Sequence, residues 1–178
     1  MKFKKYNDEV FYSGDRIVKV NREDVNQLKQ FARQSPRRRS RLCAHRDINA
    51  SLHEMLIVHD RDIYIRPHKH LGKSESFLVI EGEVEIVVFS DDGLILDLIE
   101  MSDYAKGKVF YYRLTDSLFH TVIIKSDVVV FHETTNGPFL REDMVFAGWS
   151  PPDNEVEVIH RFLENLGDQI TEFKRSEQ

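Results

Sequence analysis

The chain has 178 residues, of which 41% are hydrophobic and 31% charged, and this size and balance suit one ordinary soluble domain over residues 1–178. Its formal net charge of −5 argues against nucleic acid as the main partner, and it contains no apolar run of the about 18 residues that a membrane-spanning helix needs. A single cysteine, Cys43, excludes a framework of intrachain disulfides and fits a reducing compartment.

Apolar and polar residues alternate loosely over residues 1–20, and a helix is predicted to begin directly after them. Residues 1–20 favour one or two short strands. The first residues of the chain lack the apolar run of a signal peptide, so we expect a cytoplasmic protein. Asn21 is a good N-cap residue, and Asp24 three positions later supports it. Apolar residues at helical spacing then predict a helix from about 22 to 34, which Pro36 ends.

A basic run follows this helix at residues 37–41 and leads directly into the next predicted strand. One interpretation is an exposed, solvated loop. The other is an anion site, because guanidinium groups match carboxylates and phosphates, and arginines here could overhang the mouth of a pocket. On the second interpretation Arg39 and Arg41 are candidate substrate-binding residues.

The central part of the chain is a series of strands. At least eight short, evenly spaced strands occur between residues 42 and 133, with no helix between them, which predicts a double-sheet jelly roll or small barrel over about residues 40–150. A helix with a long apolar stripe follows at about 154–174. This stripe packs either on the outside of the barrel or on a partner subunit, and because barrel edges also need cover we expect a homodimer.

Two histidines and a glutamate carry the clearest chemical signal. His68 and His70 are spaced i and i+2, which puts both side chains on one face of a strand. The four residues after His70 can turn the chain so that Glu75 reaches the same point. Two imidazoles and a carboxylate are suitable ligands for a divalent transition metal such as Zn, Fe, Ni or Mn. The pattern H-x-H-x4-E-x6-G is completed by Gly82.

This spacing resembles the first motif of the cupin superfamily, although the glycine that begins the motif is replaced by Asp62. The resemblance implies a mostly β fold, the cupin double-stranded β-helix or jelly-roll barrel, here with an N-terminal and a C-terminal helix. It also implies a fourth ligand on a later strand, for which the sequence offers His120. The second cupin motif is degenerate around this residue, because Thr115, Ser117 and Ile124 replace its usual proline, glycine and asparagine.

Several longer stretches carry a closer resemblance: RRSRLCAHRD (38–47), HEMLI (53–57), RPHKH (66–70), GKSESF (72–77), FYYRL (110–114), HTV (120–122) and FHETTNGPF (131–139). Together they resemble the WbuC-type cupin-fold metalloproteins over about residues 36–150. That family is associated with O-antigen and other surface-polysaccharide gene clusters, so the resemblance implies a role in lipopolysaccharide biosynthesis.

Other residues near the metal strand are candidates for substrate binding. Tyr64 and Arg66 share a face with His68 if Pro67 does not break the alternation. An unpaired buried guanidinium is costly, so we expect an anionic ligand, a carboxylate or a phosphate, to bridge Arg66 and the metal. Lys73 is a further candidate on the loop that leads to the glutamate.

For two pairs of neighbouring residues, the sequence does not decide which member faces the barrel interior. Only one of His132 and Glu133 can face the barrel interior, and the same holds for Tyr111 and Tyr112. We predict Glu133 and Tyr112 as an acid or base, and His132 as a substrate-binding residue if it is the one that faces inward.

These residues predict a metal-dependent protein that acts on, or binds, a small anionic sugar-type metabolite. As an enzyme it would use the metal as a Lewis acid in the isomerisation or epimerisation of a sugar. The alternatives are an Fe(II) oxygenase and a non-catalytic module that binds a small molecule through the metal.

Overall fold

The fold was analysed in a computed structural model that describes residues 1–61 and 63–177. Asp62, which replaces the first glycine of the cupin motif, lies outside the described residues. The two α-helices are α1 (Arg22–Gln34) and α2 (Val156–Ser176). The strands are β1 (Phe3–Lys5), β2 (Val10–Ser13), β3 (Arg39–Cys43), β4 (Leu52–Asp60), β5 (His68–His70), β6 (Glu75–Glu81), β7 (Glu83–Phe89), β8 (Ile95–Ser102), β9 (Tyr111–Leu114), β10 (Phe119–Ile124), β11 (Val128–Asn136) and β12 (Met144–Phe146).

The strands form two sheets that face each other. The larger sheet has the order β1-β2-β3-β4-β11-β6-β9, and the smaller has the order β12-β5-β10-β7-β8. Between β5 and β12 the chain passes repeatedly from one sheet to the other, which is the course of a double-stranded β-helix. The predicted fold class is confirmed: the chain is mostly β, a jelly-roll barrel of two facing sheets with two flanking helices. The extent of the single domain stays a prediction.

Strand alternation separates an inner core from two outer ones. On β11, Val129 and Phe131 belong to the core between the sheets, whereas Val130 packs with residues of α1. On β7, Ile86 points into the same inner core and Val87 packs with residues of α2. β7 and β11 are therefore covered on both faces, which explains why these two strands read as continuous apolar runs.

The helix boundaries follow from local signals. At α1, the Asn21 side chain accepts hydrogen bonds from the backbone of Glu23 and Asp24, and Asp24 accepts one from the backbone of Asn21 at 2.9 Å. This capping box fixes the predicted start of the helix. The C-terminal helix begins at Val156 and ends at Ser176, close to the predicted 154–174. Within the described residues, no helix combines the length and apolar character needed to cross a membrane.

The backbone conformation explains why the last position of the metal motif is a glycine. Gly82 joins β6 and β7 with φ of +95°, a conformation that side chains rarely adopt. A Cβ atom here would lie 2.4 Å from the carbonyl oxygen of Val128. Glycine thus permits the turn that carries the chain from one sheet to the other directly after the strand of Glu75.

Candidate metal centre and barrel cavity

Three histidines converge inside the barrel, on the inner face of the smaller sheet. His68 and His70 lie on β5, and β10 pairs with β5 so that His120 is directly opposite His68. One ring nitrogen from each histidine lies within 4.8 Å of the other two. This arrangement can bind one metal ion, because three imidazole nitrogens facing one point are a typical ligand set for divalent transition metals.

The backbone orients two of these rings. Nδ1 of His68 lies 2.8 Å from the carbonyl oxygen of Arg66, and Nδ1 of His120 lies 3.1 Å from that of Leu118. An Nδ1–H that donates to a carbonyl leaves the Nε2 lone pair free for a metal. Burial and the neighbouring His120 lower the pKa of His68 to about 4, so the ring is neutral at pH 7 as a ligand must be.

Glu75 lies beside the histidines at the start of β6, with only 6% of its surface exposed. Its Oε2 is 3.3 Å from Nε2 of His70, and its Oε1 is 3.6 Å from Nε2 of His120. Burial raises the pKa of Glu75, but the hydrogen bond with His70 and the nearby imidazoles outweigh it and bring the pKa to about 2. The carboxylate is therefore ionised next to the three nitrogens, and its role as fourth ligand stays a prediction.

The structure shows which tyrosine faces the cavity. Tyr112 is 8% exposed on the inner face of β9 and donates a hydrogen bond to Oε1 of Glu75 at 3.2 Å, whereas Tyr111 is 46% exposed on the outer face. Burial, followed by the charge of Glu75, raises the pKa of Tyr112 well above its usual value. Its hydroxyl group thus stays protonated and holds the carboxylate in place.

Glu133, not His132, faces the cavity. Glu133 shares the inner face of β11 with Phe131, while His132 points to the side of α1. The prediction that His132 binds substrate is corrected on this ground. Among the described residues, none hydrogen-bonds to the carboxyl group of Glu133. Burial and then the charge of Glu75 raise the pKa of Glu133 to about 8, with Arg41 acting weakly in the other direction, so this acid is mostly protonated at pH 7.

The predicted position of Arg66 at the metal is a second correction. Its Nε donates to Oγ of Ser150 at 3.0 Å, and its Nη2 donates to the carbonyl oxygens of Ala147 and Ser150 at 3.2 and 3.1 Å. The guanidinium also lies over the ring of Phe146. The physical reason is that β5 begins only at His68, so the alternation does not extend back through Pro67.

Three other predicted substrate-binding residues are engaged by the chain itself. The hydroxyl group of Tyr64 donates to the carbonyl oxygen of Pro151 at 3.0 Å, on the α2 side of the smaller sheet. Lys73 donates to the carbonyl oxygen of Pro138 at 2.6 Å and pairs with Asp143. Nε of Arg39 donates to a carboxylate oxygen of Glu9 at 2.8 Å, and Arg37 binds the same carboxylate.

The structure places further residues on the inner face of the larger sheet, beside Glu75 and Glu133. Through the paired strands β4, β11 and β6, His53 lies in the same row as Glu75, with Thr135 between them. His53 stacks on His45 with ring centroids 4.0 Å apart. In the row below, Cys43 pairs with Met55, which pairs with Glu133. The alternation of His53, Met55 and Ile57 along β4 is the signal that could have placed these side chains on one face.

Comparisons with known proteins give one partial family match. Residues 20–101, a little under half of the chain, match a domain of unknown function (DUF6016). No curated protein sequence matches the chain.

Several solved structures are similar to the chain, and one of them is named as a cupin domain. A Shewanella oneidensis protein solved by a structural genomics consortium has a TM-score of 0.47 and 10% identity over 58% of this chain and 66% of its own. The Schizosaccharomyces pombe Cnp3 cupin domain has a TM-score of 0.43 and 11% identity over 55% of this chain and 64% of its own. Bacillus subtilis oxalate decarboxylase, with Mn(II) centres, has a TM-score of 0.44 and 18% identity over 54% of this chain and 24% of its own. The match thus spans less than two thirds of each of these proteins.

Proposed function

We propose that this protein is a metal-dependent cupin that binds one divalent transition-metal ion through His68, His70 and His120, with Glu75 as the fourth ligand. The observation that carries the proposal is the convergence of three imidazole nitrogens within 4.8 Å inside the barrel. The residues fit such an ion, because backbone carbonyls orient two of the rings and the carboxylate beside them is ionised. The donor set suits Zn, Fe, Ni or Mn.

The proposed substrate is a small anionic sugar-type metabolite, and the proposed reaction is an isomerisation or epimerisation. When bound, the metal would supply Lewis-acid polarisation of a substrate oxygen. Isomerisation also needs a group that takes and returns a proton, and Glu133 supports this role because it faces the cavity with a pKa near neutrality. The resemblance to WbuC-type proteins supports a link to surface-polysaccharide biosynthesis in the cytoplasm, by analogy only.

A non-catalytic binding module is the second candidate, and one observation favours it. Tyr112, the other predicted acid or base, donates its hydrogen bond to Glu75 and has a pKa well above its usual value. In this arrangement Tyr112 supports the carboxylate of Glu75, which a site that only binds a ligand also needs. Turnover of sugar nucleotides and sugar phosphates would favour the enzyme, and tight binding without turnover would favour the module.

We expect purified, untagged protein to contain about one divalent transition-metal ion per chain. Elemental analysis measures the content directly. Metal binds the folded state only, so zinc at a hundred times its dissociation constant should stabilise metal-free protein by about 2.7 kcal/mol and raise its melting temperature. Protein that is purified without metal and takes up none of Zn, Ni, Fe or Mn would contradict the proposal.

We also propose that the protein is a homodimer. Ile159, Leu166 and Ile170 of α2 are buried against the chain's own barrel, but Val156 and Leu163 of the same helix stay exposed. Light scattering at tens of micromolar protein should give twice the chain mass of 21.0 kDa. Leu163→Glu should shift this mass toward the monomer, while Glu164→Gln beside it should not. A strict monomer for the unsubstituted protein at these concentrations would refute the prediction.

A further inference from the structure

One arginine of the basic run differs from its neighbours. Ser40 and Leu42 of β3 face α1, since Oγ of Ser40 donates to the carbonyl oxygen of Leu28 and Leu42 packs in the same cluster. By strand alternation Arg41 and Cys43 therefore face the inner side of the sheet. By the same alternation Arg39 shares this face, so Arg39 and Arg41 both point toward the barrel interior, while the three histidines lie on the other sheet.

The guanidinium of Arg41 has no acidic partner among the described residues. Arg37 and Arg39 bind Glu9, and Arg38 pairs with Asp60 at 2.7 Å. In contrast, the contact of Arg41 is from Nη1 to the sulfur of Met55 at 3.8 Å. A thioether is a weak acceptor, so most of the five donors of this side chain stay available to a ligand.

Glu133 is an acid on the same inner face of this sheet, and it does not pair with the arginine within the described residues. Met55, which Arg41 contacts, pairs across the strands with Glu133. Arg41 and the mostly protonated Glu133 are therefore close neighbours on the same sheet, and they form no ion pair in the part of the chain that the structure describes. A ligand bound by Arg41 would therefore lie beside Glu133.

The charges on the two sheets favour an anion. A divalent metal held by three neutral imidazoles and one carboxylate would keep one net positive charge, and Arg41 adds a second from the other sheet. Facing sheets lie about 10 Å apart, so one anionic group does not have to satisfy both sites. A ligand with two oxygen-bearing ends can reach the metal with one end and the guanidinium with the other.

We propose that Arg41 binds the anionic end of a small two-ended acid, such as a dicarboxylic or hydroxy acid, whose other end lies at the metal. This inference rests on the proposed function. Arg41, and not Arg66, is then the anion-binding residue, because the donors of Arg66 are used by residues 147–150. A planar guanidinium can bind a carboxylate through two parallel hydrogen bonds, which gives orientation as well as affinity.

Calorimetric titration tests the proposal with acetate, malonate, succinate and glutarate as probes of zinc-loaded protein. We expect at least one dicarboxylate to bind at least tenfold more tightly than acetate. Arg41→Ala should remove this advantage without changing the zinc content. Arg41→Lys should weaken dicarboxylate binding severalfold, because lysine keeps the charge but cannot donate two parallel hydrogen bonds from a planar group. This variant tests the proposal if the Arg41→Ala protein does not fold. Arg161→Ala, on the exposed face of α2, is the matched control.

The outcomes separate the inference from the proposed function. If zinc binds but Arg41→Ala binds dicarboxylates as tightly as the unsubstituted protein, the inference is wrong and the metal proposal stands. The same holds if no dicarboxylate exceeds acetate, or if Arg66→Ala alone removes the advantage. If neither the unsubstituted protein nor any variant binds zinc, the metal proposal fails. Binding of dicarboxylates by metal-free protein that still depends on Arg41 would then support the anion site alone.

Discussion

We expect the His120→Ala protein to bind zinc at least about a hundredfold more weakly than the unsubstituted protein and to lose nearly all metal on dialysis. Only 2% of the His120 surface is exposed, and its Nε2 is one of the three imidazole nitrogens that converge in the cavity. Removal of one ligand leaves two imidazoles, and changes even to supporting groups around a metal cost about 10- to 100-fold in affinity. Elemental analysis after dialysis measures the loss.

His160→Ala is the control, because this histidine lies exposed on α2 and should leave the metal content unchanged. Glu75→Ala should reduce the metal content less than His120→Ala, since the three imidazoles remain. Circular dichroism checks that each variant is folded. A folded His120→Ala protein that keeps its full metal content would refute the assignment of His120 as a ligand.

The parts of the site that could be predicted from sequence depend on short-range geometry. His68 and His70 share a face because they are two residues apart on one strand, and the capping box of α1 lies within four residues. Arg66 shows where such reasoning ends, because β5 is only three residues long and Pro67 precedes it. Alternation then no longer applies, and the side chain follows contacts with residues that are more than 80 positions away.

The sequence could not show that Glu133 faces the barrel interior, and the reason differs from that for Arg66. Both faces of β11 are buried, one against the other sheet and one against α1, so the strand has no polar side to mark the outside. The position of α1 decides which residue points inward. The basic run was ambiguous in the same way, because Glu9, which binds Arg37 and Arg39, is 28 and 30 residues away from them.

The stability of the metal-free protein should fall as the pH rises from about 5.5 to 8.5, and Glu133→Gln should remove much of this fall. The folded-state pKa of Glu133 is raised from 4.5 to about 8, so between these values the folded chain keeps a proton that the unfolded chain has released. Folding then takes up a proton, and its free energy becomes less favourable as pH rises, by at most about 1.4 kcal/mol per pH unit. The contribution is complete below pH 4.5 and is lost above pH 8.

Glutamine has the shape of the protonated acid but no ionisation, so the two proteins should have similar stability below pH 4.5 and differ by about 1.4 kcal/mol at pH 5.5. At pH 8.5 the variant should be the more stable one, by up to about 5 kcal/mol in denaturant unfolding. Glu164→Gln on the exposed side of α2 should leave the pH profile unchanged. Zinc adds positive charge near Glu133 and favours its ionised form, so the loaded protein should show a smaller slope. Parallel pH profiles for the unsubstituted and Glu133→Gln proteins would mean that Glu133 ionises as freely in the folded chain as in water.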